Sequence, residues 1–222
     1  MGGNPGRVKR WFEEALTDPR DVRMREACWA RGLSYFGADR APDPIEDLAF
    51  LGPKGLHRWA NVAYGMYEGG VEKWFFDLNT TGDESGTAPQ EDRPSTMDYI
   101  GGITTADRDW PTVTISDRRV RDRLADRLGL NERWETSAKT FDNRFRVQAT
   151  HYGFTAELLD KHIRAVLLGL PSESVVTIRG AHVIIVAPRD SRLPLALEPI
   201  MDEFERKVPL IIDTWPSETE AP

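Results

Sequence analysis

Four histidines and a single cysteine bound the acid–base, nucleophilic and metal chemistry open to this 222-residue chain. The most site-like grouping is His151 and Tyr152, at the junction between a predicted strand and a predicted helix, with Asp142 just upstream. A histidine within hydrogen-bond reach of a carboxylate is the minimum for general-base hydrolysis, so a small hydrolase using His151 and Asp142 is one reading. His162 falls between Leu158 and Val166 on an apolar helical stripe, where a core histidine with a hydrogen-bond partner is expected. His182 stands opposite Arg179 beside a tight turn and is expected in solvent. No H-x-x-x-H or H-E-x-x-H spacing occurs, and Cys28 alone builds neither a zinc site nor a disulfide, so no metal ligand is assigned. Neither G-x-S-x-G nor a Walker-type glycine loop is present, and Cys28 reads as a small apolar residue inside a helix. No catalytic residue and no cofactor follow from these patterns.

Residues suited to binding a partner are easier to name. Trp11 and Phe12, flanked by Arg7, Lys9 and Arg10, combine aromatic area with basic charge, a composition of protein-binding surfaces and membrane interfaces. Arg144 and Arg146 share one face of a predicted strand, where they either anchor an anionic ligand or partner or form its solvated side. These four residues, Trp11, Phe12, Arg144 and Arg146, are the candidate interaction residues. The arginines of residues 117–133 interleave with Asp117, Asp122, Asp126 and Glu132 and have no aromatic platform, and the net charge is −7. Nucleic acid is therefore not an expected partner.

The elements that position these groups follow from period and punctuation. Val8, Trp11, Phe12 and Leu16 predict a first helix, and Asp18-Pro19 predicts the start of a second that ends near Arg31 and Gly32. The pattern then changes to two. Residues 59–67 and the alternation of Trp74, Phe76 and Leu78 with Lys73, Asp77 and Asn79 predict a hairpin closed by Glu68-Gly69-Gly70. Separate strands are expected at Met97–Thr105, where Gly101-Gly102 suggests a bulge or bend, and at Thr112–Ile115. Residues 117–128 predict a helix, Phe145–Ala149 a half-buried strand and Phe154–Leu168 one amphipathic helix. Val175–Arg179 and His182–Val186 predict a second hairpin turning on Gly180-Ala181, and a helix is expected near Leu193–Arg206.

Several phrases in this order resemble an actinobacterial domain-of-unknown-function family. Its F-[ND]-x-x-F-R-V core is matched by Phe141-Asp142-Asn143-Arg144-Phe145-Arg146-Val147, its Leu-Leu helix by Leu158-Leu159, and its I-x-G hairpin by Ile178-Arg179-Gly180. The stretch Ala27–Tyr35 resembles its A-x-x-x-G-W-x-Y opening, with Leu33 in place of the tryptophan, and Arg58–Leu78 its first hairpin. Members of the family often carry transmembrane helices, whereas no apolar run here reaches the length of a membrane span. The resemblance implies no activity, cofactor or catalytic residue.

Together these readings predict an α+β protein with a largely antiparallel sheet built from hairpins, on which N-terminal, central and C-terminal helices pack. Its expected organisation is an N-terminal helical segment over 1–31, one α+β domain over 32–215 with a mobile loop at 80–95, and a disordered tail at 216–222. The expected function is that of a non-enzymatic, cytoplasmic interaction or assembly module whose partner is another protein or a second copy. The alternatives are the small hydrolase and a peripheral protein in contact with a membrane surface.

Overall fold

Asp18 opens the second expected helix: its carboxylate accepts from the Arg20 N–H (2.9 Å), and Pro19 occupies the first turn. In this computed structural model, which describes residues 18–38, 40–42, 57–80, 97–118, 134–190 and 192–214, helix α1 spans Pro19–Ala30 and closes at Gly32 with φ +70°. The expectations for residues 1–17, including Trp11 and Phe12, lie outside the described residues. So do those for the tail, the 81–95 part of the loop and the helix beyond Arg118.

Among the described residues six strands form one antiparallel sheet: β1 (Ser34–Gly37), β2 (His57–Met66), β3 (Glu72–Thr80), β4 (Met97–Asp117), β5 (Phe145–Ala149) and β6 (Val175–Pro188). With the helices this gives the α+β architecture. The order runs β1-β2-β3-β4-β5, and β6 lies against β4. Gly69 and Gly70, at φ +77° and +79°, close the β2–β3 hairpin on a 3-10 turn.

Two expected strands are one. Strand β4 runs unbroken for 21 residues, so its first part pairs with β3 and its last part with β5, while β6 follows it on the other side. The hairpin expected at Gly180-Ala181 is likewise absent: β6 is a single 14-residue strand antiparallel to β4. Gly180 does take a left-handed φ of +54°, but it serves a register shift at which Ala106–Asp109 of β4 stand against Ala181 alone. Gly101 and Gly102 lie in unbroken register with both neighbouring strands rather than at a bulge. Their missing side chains admit close packing: a Cβ at Gly101 would come within 2.1 Å of the Phe76 ring, and one at Gly102 within 2.6 Å of Met201 Sδ.

After β4 come α2 (Lys139–Arg144), α3 (Tyr152–Leu158), α4 (Lys161–Leu168) and, beyond β6, a 3-10 turn leading into α5 (Glu198–Thr214). The single helix expected over Phe154–Leu168 is broken at Leu159–Asp160, where Asp160 caps α4 by accepting from the Ile163 N–H (2.9 Å). Helix α5 continues past the expected end at Arg206 and carries Pro209 within it.

Among the described residues each of the five helices buries apolar side chains against one face of the sheet, in a cluster that includes Met24, Cys28, Phe141, Phe154, Ile163, Met201 and Phe204. On the other face Trp74, Phe76, Leu78, Ile103, Ile184 and Val186 form a second buried cluster. Both sides of β3 are therefore inside. Lys73 and Asp77, expected on a polar face, are buried beneath the helices together with Phe75.

Candidate functional site

Burying Asp77 at 2% exposure requires a compensating charge, and α1 supplies it. Arg20 donates from Nε (2.6 Å) and Nη2 (2.7 Å) to the two Asp77 oxygens, and from Nη1 to the Asp190 carbonyl (3.3 Å). Asn61 donates from Nδ2 to the same carboxylate (2.7 Å). That reach depends on its backbone: Asn61 sits at φ +51° in a bulge of β2, a conformation asparagine tolerates better than most residues. The Tyr35 hydroxyl is aimed at Asn61 Oδ1 (2.8 Å) and at the Asp21 carboxylate. Burial, reinforced by Asp21, pushes the Tyr35 phenol well above its ordinary pKa. The cluster ties α1 to β1, β2 and β3.

A second polar cluster fastens α5. Lys73 donates to Asp202 and to Glu205 (3.1 Å), and its ammonium lies 4.3 Å from the centre of the Tyr67 ring. Burial opposes the charge, yet the two carboxylates outweigh it and hold Lys73 above the ordinary lysine pKa. The Tyr67 hydroxyl donates to Glu198 (2.5 Å), which Arg31 approaches at 3.9 Å.

His151 and Asp142 are not brought together. They flank opposite ends of β5, whose five residues span about 16 Å. Each instead satisfies nearby backbone. His151 Nδ1 accepts from the Phe154 N–H (3.4 Å) at the start of α3, and Asp142 accepts from the backbone N–H (3.0 Å) and hydroxyl (2.8 Å) of Thr136. His162 is 62% exposed rather than buried, and it meets Glu203 of α5 at 2.7 Å.

Arg144 ends α2 instead of sharing a strand face with Arg146. Its Nη1 donates to the Leu168 carbonyl (2.5 Å), Nη2 to those of Leu170 and Pro171 (2.9 Å), and Nε to Asp117 (3.3 Å), closing the C-terminal end of α4. Its donors are thus engaged inside the chain. Arg146 lies half-buried on β5, opposite Ser116 of β4. Cys28 is buried, and burial pushes its thiol up to about 11. Among the described residues no group of three or more His, Cys, Asp or Glu side chains is placed to hold a metal ion, and no helix is long and apolar enough to cross a membrane.

Comparison with protein-family models and with curated proteins gives no match. Among solved structures the chain is similar to the mycobacterial trehalose monomycolate transport factor A, TtfA. The TM-score is 0.53 at 13% sequence identity, over 93% of this chain and 99% of that one. The likeness is one of fold, and it takes in nearly the whole length of both chains.

With Arg20, Asp77, Lys73, Asp117 and Arg144 all joined to side-chain or backbone partners within the chain, the polar clusters work as fastenings. The surface offers something different. Trp29 of α1 is 86% exposed, and Val22, one heptad earlier on the same side, is 37% exposed. Both lie opposite Arg20, Met24 and Cys28, which face the core. The sequence signal for this surface is the helical wheel of α1: with Met24 and Cys28 inward, Trp29 has to point out.

Proposed function

We propose that this chain is a non-enzymatic interaction or assembly protein, an accessory factor that works in the cytoplasm by holding a protein partner. What supports this reading is the likeness of fold, across almost the entire chain, to a protein named as a transport factor. The exposed indole of Trp29 is consistent with it, because tryptophan is the residue type most enriched among energetic centres of protein interfaces. The proposal includes membership of the family whose F-[ND]-x-x-F-R-V core residues 141–147 resemble, and a partner-binding role for Trp11 and Phe12.

The test is affinity capture from the native host with mass-spectrometric identification, comparing the natural chain with Trp11→Ala/Phe12→Ala and with Trp29→Ala. Partners captured by the natural chain and lost from at least one variant support the proposal. Retention of every partner by both variants, with folding intact, removes it.

A further inference from the structure

We propose that the outward face of α1 is a contact between two copies of this chain, formed by antiparallel packing of α1 on α1 about a two-fold axis. This goes beyond the accessory role and stands apart from it. Four residues make the face: Val22, Arg25, Glu26 and Trp29, at i, i+3, i+4 and i+7. At about 100° per residue they lie within one arc of roughly 100°, and Arg20, Met24 and Cys28 fill the opposite side. Trp29 and Val22 are the apolar centre, and both are exposed in the single chain. Arg25 leans on Asp21 of its own helix (2.5 Å) but keeps 60% of its side chain exposed, and Glu26 is exposed as well.

The order of these residues selects the occupant. When two such helices run antiparallel, with the axis between Arg25 and Glu26, Val22 lies against Trp29 of the partner subunit. Arg25 then lies against Glu26 of the partner subunit, and symmetry forms each contact twice. In a parallel arrangement Arg25 would meet its own kind, as would Glu26, so the charges choose the antiparallel pair. The same balance disfavours an anionic lipid surface, since Arg23 and Arg25 are offset along the helix by Asp21 and Glu26. Nothing in this face needs to move for the contact to form, because the Arg20–Asp77 pair holds α1 against the sheet from its inner side. A 12-residue helix is only about 18 Å long, so the contact falls below the area of a standard stable interface and predicts a weak, concentration-dependent dimer.

Sedimentation equilibrium of the full chain from ~10 to ~500 μM tests this, a range that spans weak association. The natural chain is expected to show a monomer–dimer equilibrium, and Trp29→Ala to weaken it by about tenfold or more. Trp29→Gln repeats the test with a polar side chain of its own. Arg25→Glu carries two acids on the face and Glu26→Arg two bases, so each alone is expected to be monomeric. Their equimolar mixture is expected to dimerise, because each acid then meets a base. A natural chain that stays monomeric throughout overturns the proposal, as does a dimer indifferent to both Trp29 variants or a mixture no more associated than its components. Two other occupants would also overturn it: anionic vesicles, or a different protein, bound through Trp29 by a chain that remains monomeric. The last outcome leaves the accessory role standing, so the two proposals fail separately.

Discussion

Arg20 and Asp77, 57 positions apart in sequence, meet in a buried two-pronged ion pair with contacts of 2.6 and 2.7 Å. The pair joins the first helix to the middle of the sheet. Arg20→Ala leaves the Asp77 carboxylate buried with only Asn61 beside it, so stability should fall by about 3–5 kcal/mol. Urea denaturation of Arg20→Ala, Asp77→Ala and the double variant gives the coupling between them. A coupling near zero would mean that the contact contributes nothing beyond packing.

The glycine pair in β4 predicts an asymmetry. A methyl at position 101 runs into the ring of Phe76, which is locked inside the second cluster, while one at 102 meets the flexible end of Met201. Gly101→Ala should therefore destabilise by about 1–3 kcal/mol or more, and Gly102→Ala by less. Thermal midpoints of the two variants in the same buffer rank them, and the reverse order would contradict this packing.

Cys28 predicts both a reactivity and a pH dependence. With its thiol pushed up to about 11, it should resist thiol reagents at pH 8 in the native protein and react at once after unfolding. The folded-state value lies above the ordinary 9.0, so the unfolded chain loses this proton first as pH rises. The stabilisation is complete below pH 9 and is lost between pH 9 and about 11, a linkage of roughly 2–3 kcal/mol at most. Cys28→Ala should flatten that part of the stability profile, which chemical denaturation at stepped pH measures.

Asp160 governs the break between α3 and α4. Burial works against its charge, but Lys207 (2.8 Å) and the Ile163 N–H outweigh burial and hold its pKa below the ordinary value. Its contribution is present above the unfolded-state pKa and disappears as pH falls through the depressed folded-state value. Asp160→Ala should lower stability by about 1 kcal/mol at pH 7 and by progressively less in acid, whereas Asp160→Asn should retain most of the cap.

The start of α1, the β2–β3 hairpin and β5 are legible because their signals are local: a cap, a glycine pair, a period of two. Gly180-Ala181 misleads for the same reason. A left-handed glycine between two apolar runs is the mark of a turn, but it equally suits a register shift in a strand that continues. The choice is made by β4, whose own extra residues absorb the shift. His162 is misplaced by extending one helical phase across Leu159–Asp160; Asp160 restarts the helix, and Ile163 and Leu167 then take the buried side. Lys73 and Asp77 look solvent-facing from alternation alone. Phe75 between them is the available sign that their side of β3 is covered. Their partners in α1 and α5 lie too far along the chain for any spacing rule to find. Trp29 is legible in principle, since its helix is recognisable and only the wheel has to be read.

The 21-residue strand β4 has a mechanical consequence. Because it holds β3 near one end, β5 near the other and β6 along both parts, all three strands lose a pairing partner if β4 leaves the sheet. A force that extracts β4 has to break the ladders on both its sides together, so this one strand couples the β3 part of the sheet to the β5 part.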